Sequence, residues 1–326
     1  MTSPYKLTTE SARQKFRKRL LAWYDGNKRD LPWRRDLDPY RVWLSEIMLQ
    51  QTRVAAVLEH YRRFLQRFPT VAKLAAAREA SVLAAWSGLG YYRRARLLHS
   101  AAKTIVAEYA GKLPTSAEEL RDLPGIGRYT ATAIASIAFG EPVAVVDGNV
   151  ERVLERVQGR SLANEEFWRE AEGLLHRSRP GDFNQAMMEL GATVCLPTRP
   201  NCLACPVVEL CASRGELTRP AKKPRQKKRE IHYALARRNG SVLLVRRPKV
   251  ASLMPGMWEL PEIPAVINGK SIVTLQHSIT VTDYTVRVRE ESLPESLPGK
   301  WIAQSRLNTT ALTGLARKIL RAVQVI

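Results

Sequence analysis

Cysteine is scarce and confined to one place. The 326 residues hold four, all between Cys195 and Cys211, spaced C-x6-C-x2-C-x5-C. A fold stapled by disulfides along its length is thereby excluded. The sequence also lacks any run of about 18 apolar residues, so no membrane span is expected. Met1 to Lys28 is charged throughout and lacks the apolar core of a secretory signal. Acidic residues are few: 31 Asp and Glu stand against 52 Lys and Arg, a net charge of +21. That excess predicts a polyanionic partner, nucleic acid ahead of a membrane surface. Together these features predict an intracellular protein: cytoplasmic, and nucleoid-associated if prokaryotic. In a reducing compartment clustered thiols are ligands rather than disulfides. Their spacing leaves zinc and an iron–sulfur cluster equally open, because only Cys202 and Cys205 form the close pair that zinc knuckles favour.

The length predicts two domains. Residues 1–218 read as all-helical. Val54, Val57, Leu58, Tyr61 and Leu65 form an i, i+3, i+4, i+7 stripe, and Ser81–Trp86 and Thr130–Ala138 read as further helices. Residues 219–230 contain R-P-A-K-K-P-R-Q-K-K-R, seven basic residues and two prolines, which reads as a basic linker. Residues 231–326 read as a small α+β domain. In it, His232–Arg237 and Ser241–Arg246 flank Asn239-Gly240, a type I′ hairpin signal. Thr285–Arg289 alternates as a strand, and Ala311–Val325 reads as a closing helix.

The chemistry concentrates in the helical part. In Leu123-Pro124-Gly125-Ile126-Gly127 two glycines permit a tight turn before a helix whose free N–H groups can hold a phosphate oxygen. A helix-hairpin-helix at about 120–140, gripping DNA backbone without reading bases, follows from this pattern. Asp147, in V-V-D-G-N-V, follows an apolar run and precedes a helix, where an Asp caps the N-terminus and faces the positive end of the dipole. Such a carboxylate suits a cationic sugar. Glu46 is a lone acid among Leu44, Ile47 and Met48. Desolvation there would raise its pKa and make it a proton donor near neutrality, unless it sits on the solvent face. Protonating a leaving base while stabilising an oxocarbenium-like sugar is the division of labour that N-glycosidic cleavage requires.

The hairpin, the V-D-G-N aspartate and the cysteine spacing together resemble the endonuclease III superfamily of DNA glycosylases. L-P-W-R-R (31–35), W-L-S-E-I-M-L-Q-Q-T (43–52), G-L-G-Y-Y-R-R-A-R (88–96) and F-N-Q-A-M-M-E-L-G-A (183–192) are similar to the adenine DNA glycosylases of the MutY type. The resemblance is dense over 14–215 and loose beyond. It implies removal of adenine mispaired with 8-oxoguanine or guanine in double-stranded DNA, after flipping the base out of the stack. A monomer is expected by default, since nothing in the sequence suggests a symmetric interface. The resemblance implies Glu46 as general acid, Asp147 as stabiliser of the sugar cation and Asn149 as their orienter. Gln51 and Tyr91 match residues that wedge into the duplex, Arg34 a positive residue near the active site, and Gly125 and Gly127 the backbone grip. Cys195, Cys202, Cys205 and Cys211 would hold a 4Fe-4S cluster in a structural role.

Tyr129 stands where strand-nicking relatives carry a Lys, whose amine can form a Schiff base. Its phenol cannot, so a monofunctional glycosylase is expected. A Tyr there also occurs in thymine-mismatch glycosylases. The C-terminal part resembles the Nudix-like module of the family. Gly256 and Glu262 fit the start of a Nudix box, but Lys270-Ser271 replaces its Arg-Glu pair, so recognition of the lesion rather than hydrolysis is expected. Bacterial relatives carry a Phe-Ser-His loop where this chain has His277-Ser278-Ile279-Thr280-Val281. Thr280 is the substitute hydroxyl, and a weaker preference for 8-oxoguanine over guanine is expected. The rival readings are a thymine-mismatch glycosylase, a bifunctional lyase and a non-catalytic iron–sulfur DNA-binding protein.

Overall fold

The computed structural model describes residues 7–214, 227–265, 270–279, 281–292 and 298–326. Its helices, in chain order, are α1 (Glu10–Asn27), α2 (Pro39–Leu49), α3 (Val54–Arg67), α4 (Val71–Ala75), α5 (Glu79–Trp86), α6 (Tyr92–Glu108), α7 (Ala117–Leu120), α8 (Arg128–Ala138), α9 (Gly148–Gln158), α10 (Asn164–Leu174), α11 (Pro180–Thr193) and α12 (Gly314–Ala322). The strands are β1 (Lys227–Leu235), β2 (Arg237–Arg238), β3 (Ser241–Arg246), β4 (Trp258–Glu259), β5 (Glu262–Ile263), β6 (Val273–Ile279), β7 (Thr282–Glu290) and β8 (Lys300–Ala303). No described helix is long and apolar enough to cross a membrane.

Two compact units result. The first joins Met1–Gln51 to Thr104–Ala221, and the second joins Thr52–Lys103 to Lys222–Ile326. The division cuts through the helical run, because α3 to α5 and most of α6 belong with the C-terminal sheets.

In the first unit, helix starts follow capping chemistry. Thr9, Asp38, Ser116 and Asp147 each accept a hydrogen bond from a backbone N–H of the first turn. Phe16, Leu20 and Tyr24 of α1, Val150, Val153 and Leu154 of α9, and Phe183, Ala186 and Leu190 of α11 share one core. Helix α11 packs against α1, α8 and α9, and two glycines allow the closest approaches. A Cβ at Gly181 would lie 2.6 Å from the Ser136 carbonyl oxygen of α8, and one at Gly191 would lie 2.6 Å from Asn149 Cβ of α9.

The second unit carries two four-stranded sheets. One has the order β5-β1-β7-β6, with β1 and β7 parallel; in the other, β3 pairs with β2, β4 and β8. This bears out an α+β C-terminal region. Asn239 and Gly240 both take positive φ (46° and 66°), and Arg238 pairs with Ser241, as the hairpin signal predicts. The basic stretch is shorter than its composition implies: Lys227–Glu230 already open β1, paired with Thr282–Thr285 of β7, while 219–226 lie outside the described residues. The closing helix is also shorter than the expected 311–325. Thr313 caps it, and Leu312 is buried by bridging to Trp258 rather than by the helix. Helix α12 buries Leu315, Ile319 and Leu320. Its Arg317 Nε donates to Ser87 Oγ at 2.8 Å, and that hydroxyl donates to the Leu312 carbonyl at 2.9 Å. Tyr92 OH reaches the same carbonyl at 3.3 Å. These bonds tie the α5–α6 corner to the C-terminal helix.

Because backbone atoms cannot yield as a side-chain tip can, Gly181→Ala should destabilise the protein by roughly 1–3 kcal/mol. Urea unfolding of the variant checks this, and an unchanged midpoint would contradict the α8–α11 contact.

Candidate active site

Helix α2 carries Glu46 inward. Asp38 and Pro39 fix its start, and Val42, Trp43, Leu44, Ile47 and Met48 are buried around the acid, which is 6% exposed. The solvent-face alternative is thereby set aside. Tyr129, on the second position of α8, donates its phenol hydrogen to Glu46 Oε2 at 2.7 Å. Burial pushes the Glu46 carboxyl up; the Tyr129 hydrogen bond opposes this, the Asp147 charge adds to it, and Arg34 lowers it, leaving a value of about 7. Tyr129 is raised well above its ordinary value, by burial first and then by the charges of Glu46 and Asp147. Its phenol therefore acts as a donor at neutral pH.

Asp147 is held by its own helix. Asn149 N and Val150 N donate to Oδ1 at 2.9 and 2.8 Å, and Asn149 Nδ2 donates to Oδ2 at 2.9 Å. The N-cap expectation is met, and both carboxylate oxygens are fixed. The apolar run before it is not part of a strand. Asn184 of α11 accepts from Val145 N at 3.1 Å and donates to the Val143 carbonyl at 2.9 Å, and Glu172 accepts from Ala144 N at 3.0 Å.

Arg34 lies in a single 3-10 turn, Pro32–Arg34, and bonds a carboxylate that sequence reasoning did not single out. Glu189 of α11 is 1% exposed. It accepts from Arg29 Nε and Nη2, both at 2.7 Å, and from Arg34 Nη2 at 2.9 Å. Burial acts to raise Glu189, but the two guanidinium groups outweigh it and bring the carboxyl down to about 2. Its signal was available: like Glu46, it is a lone acid in an apolar helical stretch.

The hairpin glycines differ. Gly125 takes φ +80°, which requires glycine. Gly127 caps α8 at φ −91°, and a Cβ there would meet no protein atom within 4 Å. Neither strain nor packing within the chain therefore demands glycine at 127. Gln51 (φ +54°), at the end of α2, and Tyr91 (φ +47°), at the start of α6, are exposed residues in left-handed backbone. Arg94 stacks over the Tyr91 ring at 5.3 Å and donates from Nη2 to Thr52 Oγ1 at 3.0 Å. Thr280 lies outside the described residues.

The four thiols are free and line one pocket with Val153, Val157 and Leu190. Arg156 Nη1 lies 3.3 Å from Cys195 Sγ, and its guanidinium also donates to the Leu196 and Pro197 carbonyls at 2.7 and 2.8 Å. Burial pushes the Cys205 thiol up to about 11, so a cation is needed to hold it as a thiolate. Among the described residues no three His, Cys, Asp or Glu side chains are placed to hold one ion. Four thiols around one pocket are a donor set for a metal centre. One turn earlier on α9, Arg152 Nη2 donates to Asn149 Oδ1 at 2.8 Å while Nε donates to the Cys195 carbonyl at 2.8 Å.

Two outcomes follow from these carboxyls. Removing the Tyr129 hydrogen bond withdraws support from the ionised form, so Tyr129→Phe should move Glu46 above 7, read by carbon-13 NMR titration; a fall would refute the pairing. Glu189→Ala strands Arg29 and Arg34 and should cost roughly 3 kcal/mol at pH 7. Because the folded carboxyl is depressed from 4.5 to about 2, its stabilisation is complete above about 4.5 and is lost as pH falls toward 2. The difference between variant and wild type in urea unfolding should shrink over that window.

Comparison with known proteins gives the family. Residues 44–174 match the family described as HhH-GPD superfamily base excision DNA repair protein. The human protein named adenine DNA glycosylase is 36% identical, over 95% of this chain and 74% of its own length. The rat protein of the same name is 40% identical, over 82% of this chain and 64% of its own length. A solved structure described as a thermostable thymine-DNA glycosylase is 29% identical, with a TM-score of 0.60, over 63% of this chain and 98% of that one. The chain belongs to the adenine DNA glycosylase family, within the HhH-GPD superfamily.

Proposed function

We propose that the chain hydrolyses the N-glycosidic bond of adenine mispaired with 8-oxoguanine or guanine in double-stranded DNA, and leaves an abasic site. The observation that carries this reading is the pairing of a buried carboxyl raised to about 7 with a second carboxylate fixed at a helix start. Protonated Glu46 gives its hydrogen to the adenine ring, so the base leaves as a neutral molecule. The C1′–N bond electrons go with it. The Asp147 carboxylate, oriented by Asn149, stabilises the oxocarbenium-like sugar, by charge or by a transient ester. Glu46, now ionised, accepts a proton from the water that adds to C1′. Tyr129 donates its hydrogen bond to Glu46 throughout and offers no amine, which supports a monofunctional reaction. Arg34 acts at longer range, through its charge and through Glu189.

Gln51 and Tyr91 would enter the duplex beside the lesion pair. Exposed side chains kept in strained backbone support that role. The open space at Gly127 supports approach of a phosphate to the start of α8. Cys195, Cys202, Cys205 and Cys211 would hold a 4Fe-4S cluster, which when bound supplies a rigid, charged brace. The division into 1–218, a linker at 219–230 and a Nudix-like lesion-reading domain at 231–326 belongs to the same proposal, as do Thr280 as a reader of 8-oxoguanine and action as a cytoplasmic monomer.

A single-turnover assay on duplexes with adenine opposite 8-oxoguanine, guanine or thymine tests the reading, with strand breaks scored before and after alkali. Breaks only after alkali, in the adenine strand opposite 8-oxoguanine or guanine, are expected. Breaks without alkali would mean a lyase, and the absence of breaks in all three duplexes would favour the thymine-mismatch reading or a binding protein. The rate should fall as pH rises through about 7, since Glu46 must be protonated. Glu46→Gln should lower it by at least about 100-fold and abolish that limb.

A further inference from the structure

The second unit holds an open cavity of about 790 Å³ between residues 79–96 and 241–311, lined by none of the candidate catalytic, DNA-contacting or cysteine residues described above. Its charge is one-sided. Arg96, Arg246, Lys249, Lys300 and Arg306 line it, against the single carboxylate of Glu79. That carboxylate is already engaged: Arg96 Nε donates to Glu79 Oε1 at 3.1 Å, and Arg96 Nη2 to the Pro255 carbonyl at 2.6 Å. Among the described residues no carboxylate pairs with the other four cations. Nearby arginines behave differently. Arg247 clamps Glu259 at 2.7 and 2.8 Å, and Arg287 and Arg289 pair with Glu230 and Glu291. These arginines of the same unit find acids, whereas the four cations of the cavity gather with none between them. Like charges gathered in one concavity repel and raise its potential, and an anion relieves both.

The same cavity exposes aromatic surface. Trp258 and Trp301 line it, and Trp301 is 39% exposed on β8 beside Lys300. Arg246 lies 5.9 Å over the Trp258 ring and is anchored through Nε to the Gly256 carbonyl at 3.0 Å. A cation held on one indole, a second indole open, and two lysines and an arginine alongside form a set that takes a flat ring on the indole and phosphate oxygens on the cations. The volume falls within the roughly 300–1,000 Å³ of small-ligand sites.

We propose that this cavity binds a nucleotide, with its base on Trp301 and its phosphate on Lys249, Lys300 and Arg306. The shared chemistry is a base joined to a phosphate, which a free nucleotide and an unpaired stretch of DNA both present. The proposal does not rest on adenine excision.

The test titrates the full-length protein with ADP, with a ten-residue oligothymidylate and with inorganic pyrophosphate, by calorimetry and tryptophan fluorescence. ADP or the oligonucleotide should bind and quench fluorescence. The pair Lys300→Glu with Arg306→Glu should weaken binding by at least about tenfold, and Trp301→Leu should weaken the base-bearing probes while sparing pyrophosphate. Tighter ADP binding assigns a free nucleotide, and tighter oligonucleotide binding assigns a DNA strand; either supports the site. Adenine release from a short duplex, measured on the same preparations, separates loss of this site from loss of the glycosylase reaction. If the charge-reversed pair does not fold, the milder Lys300→Gln with Arg306→Gln carries the comparison. Absence of binding by both base-bearing probes, binding unchanged in the charge variants, or pyrophosphate binding as tightly as ADP with no effect of Trp301→Leu would each overturn the proposal.

Discussion

The hydrogen bond from Tyr129 to buried Glu46 sets the terms for the rest of the first unit. A carboxyl surrounded by Val42, Trp43, Leu44 and Ile47 must either find a cation or keep its proton. A phenol provides a donor without a charge, so the proton is retained close to neutral pH. A guanidinium in the place of the phenol would have held the carboxyl ionised and left nothing to give to a leaving base. Glu189 shows that alternative in the same unit. It is buried at least as deeply, yet Arg29 and Arg34 bring it down to about 2. Two glutamates on apolar helix faces thus end far apart, Glu46 at about 7 through burial and Glu189 at about 2 through its two guanidinium partners.

Keeping those environments apart requires closely packed helices. Helix α11 carries Glu189 on one face, Asn184 toward the segment before Asp147, and Gly191 against Asn149. A shift of this helix would move the Arg29–Glu189–Arg34 group, the approach to Asp147 and the orienter of its carboxylate together. Its two tight glycine contacts make such a shift costly.

What could be read from the sequence was local. The type I′ turn at Asn239-Gly240, the cap at Asp147 and the lone acid at Glu46 each need only a few neighbouring residues, and each lies where its pattern implies. The rest depends on residues far apart in the chain. Glu189 carries the same local pattern as Glu46, but Arg29 and Arg34 come from 155–160 positions away, so its opposite protonation cannot be seen locally. Leu312 looks like the first turn of a helix because it is apolar; its burial comes from a bridge to Trp258. The grouping of α5 with the C-terminal sheets rests on bonds such as Arg317 to Ser87, 230 positions apart, between segments of different composition. The proposal of wedge residues came from family likeness alone, and the left-handed backbone at Gln51 and Tyr91 is a feature that no sequence pattern carries.

Helix α9 links the two chemistries of the first unit. Its N-cap is Asp147, its first turn holds Asn149, and its next two turns present Arg152 and Arg156 to the cysteine segment. Arg152 bonds Asn149 Oδ1 and the Cys195 carbonyl with one guanidinium, so the side chain that orients Asp147 and the backbone of the first cysteine share a fixed cation. A guanidinium cannot lose its charge to adapt, and its planar fork tolerates little displacement. The cysteine segment has no extended secondary structure, only two short 3-10 turns. Without something rigid at its centre it would give Arg152 a compliant partner, and Asn149 would inherit that compliance. Four thiols line one pocket in that segment, so a metal centre held there would brace the partner of Arg152.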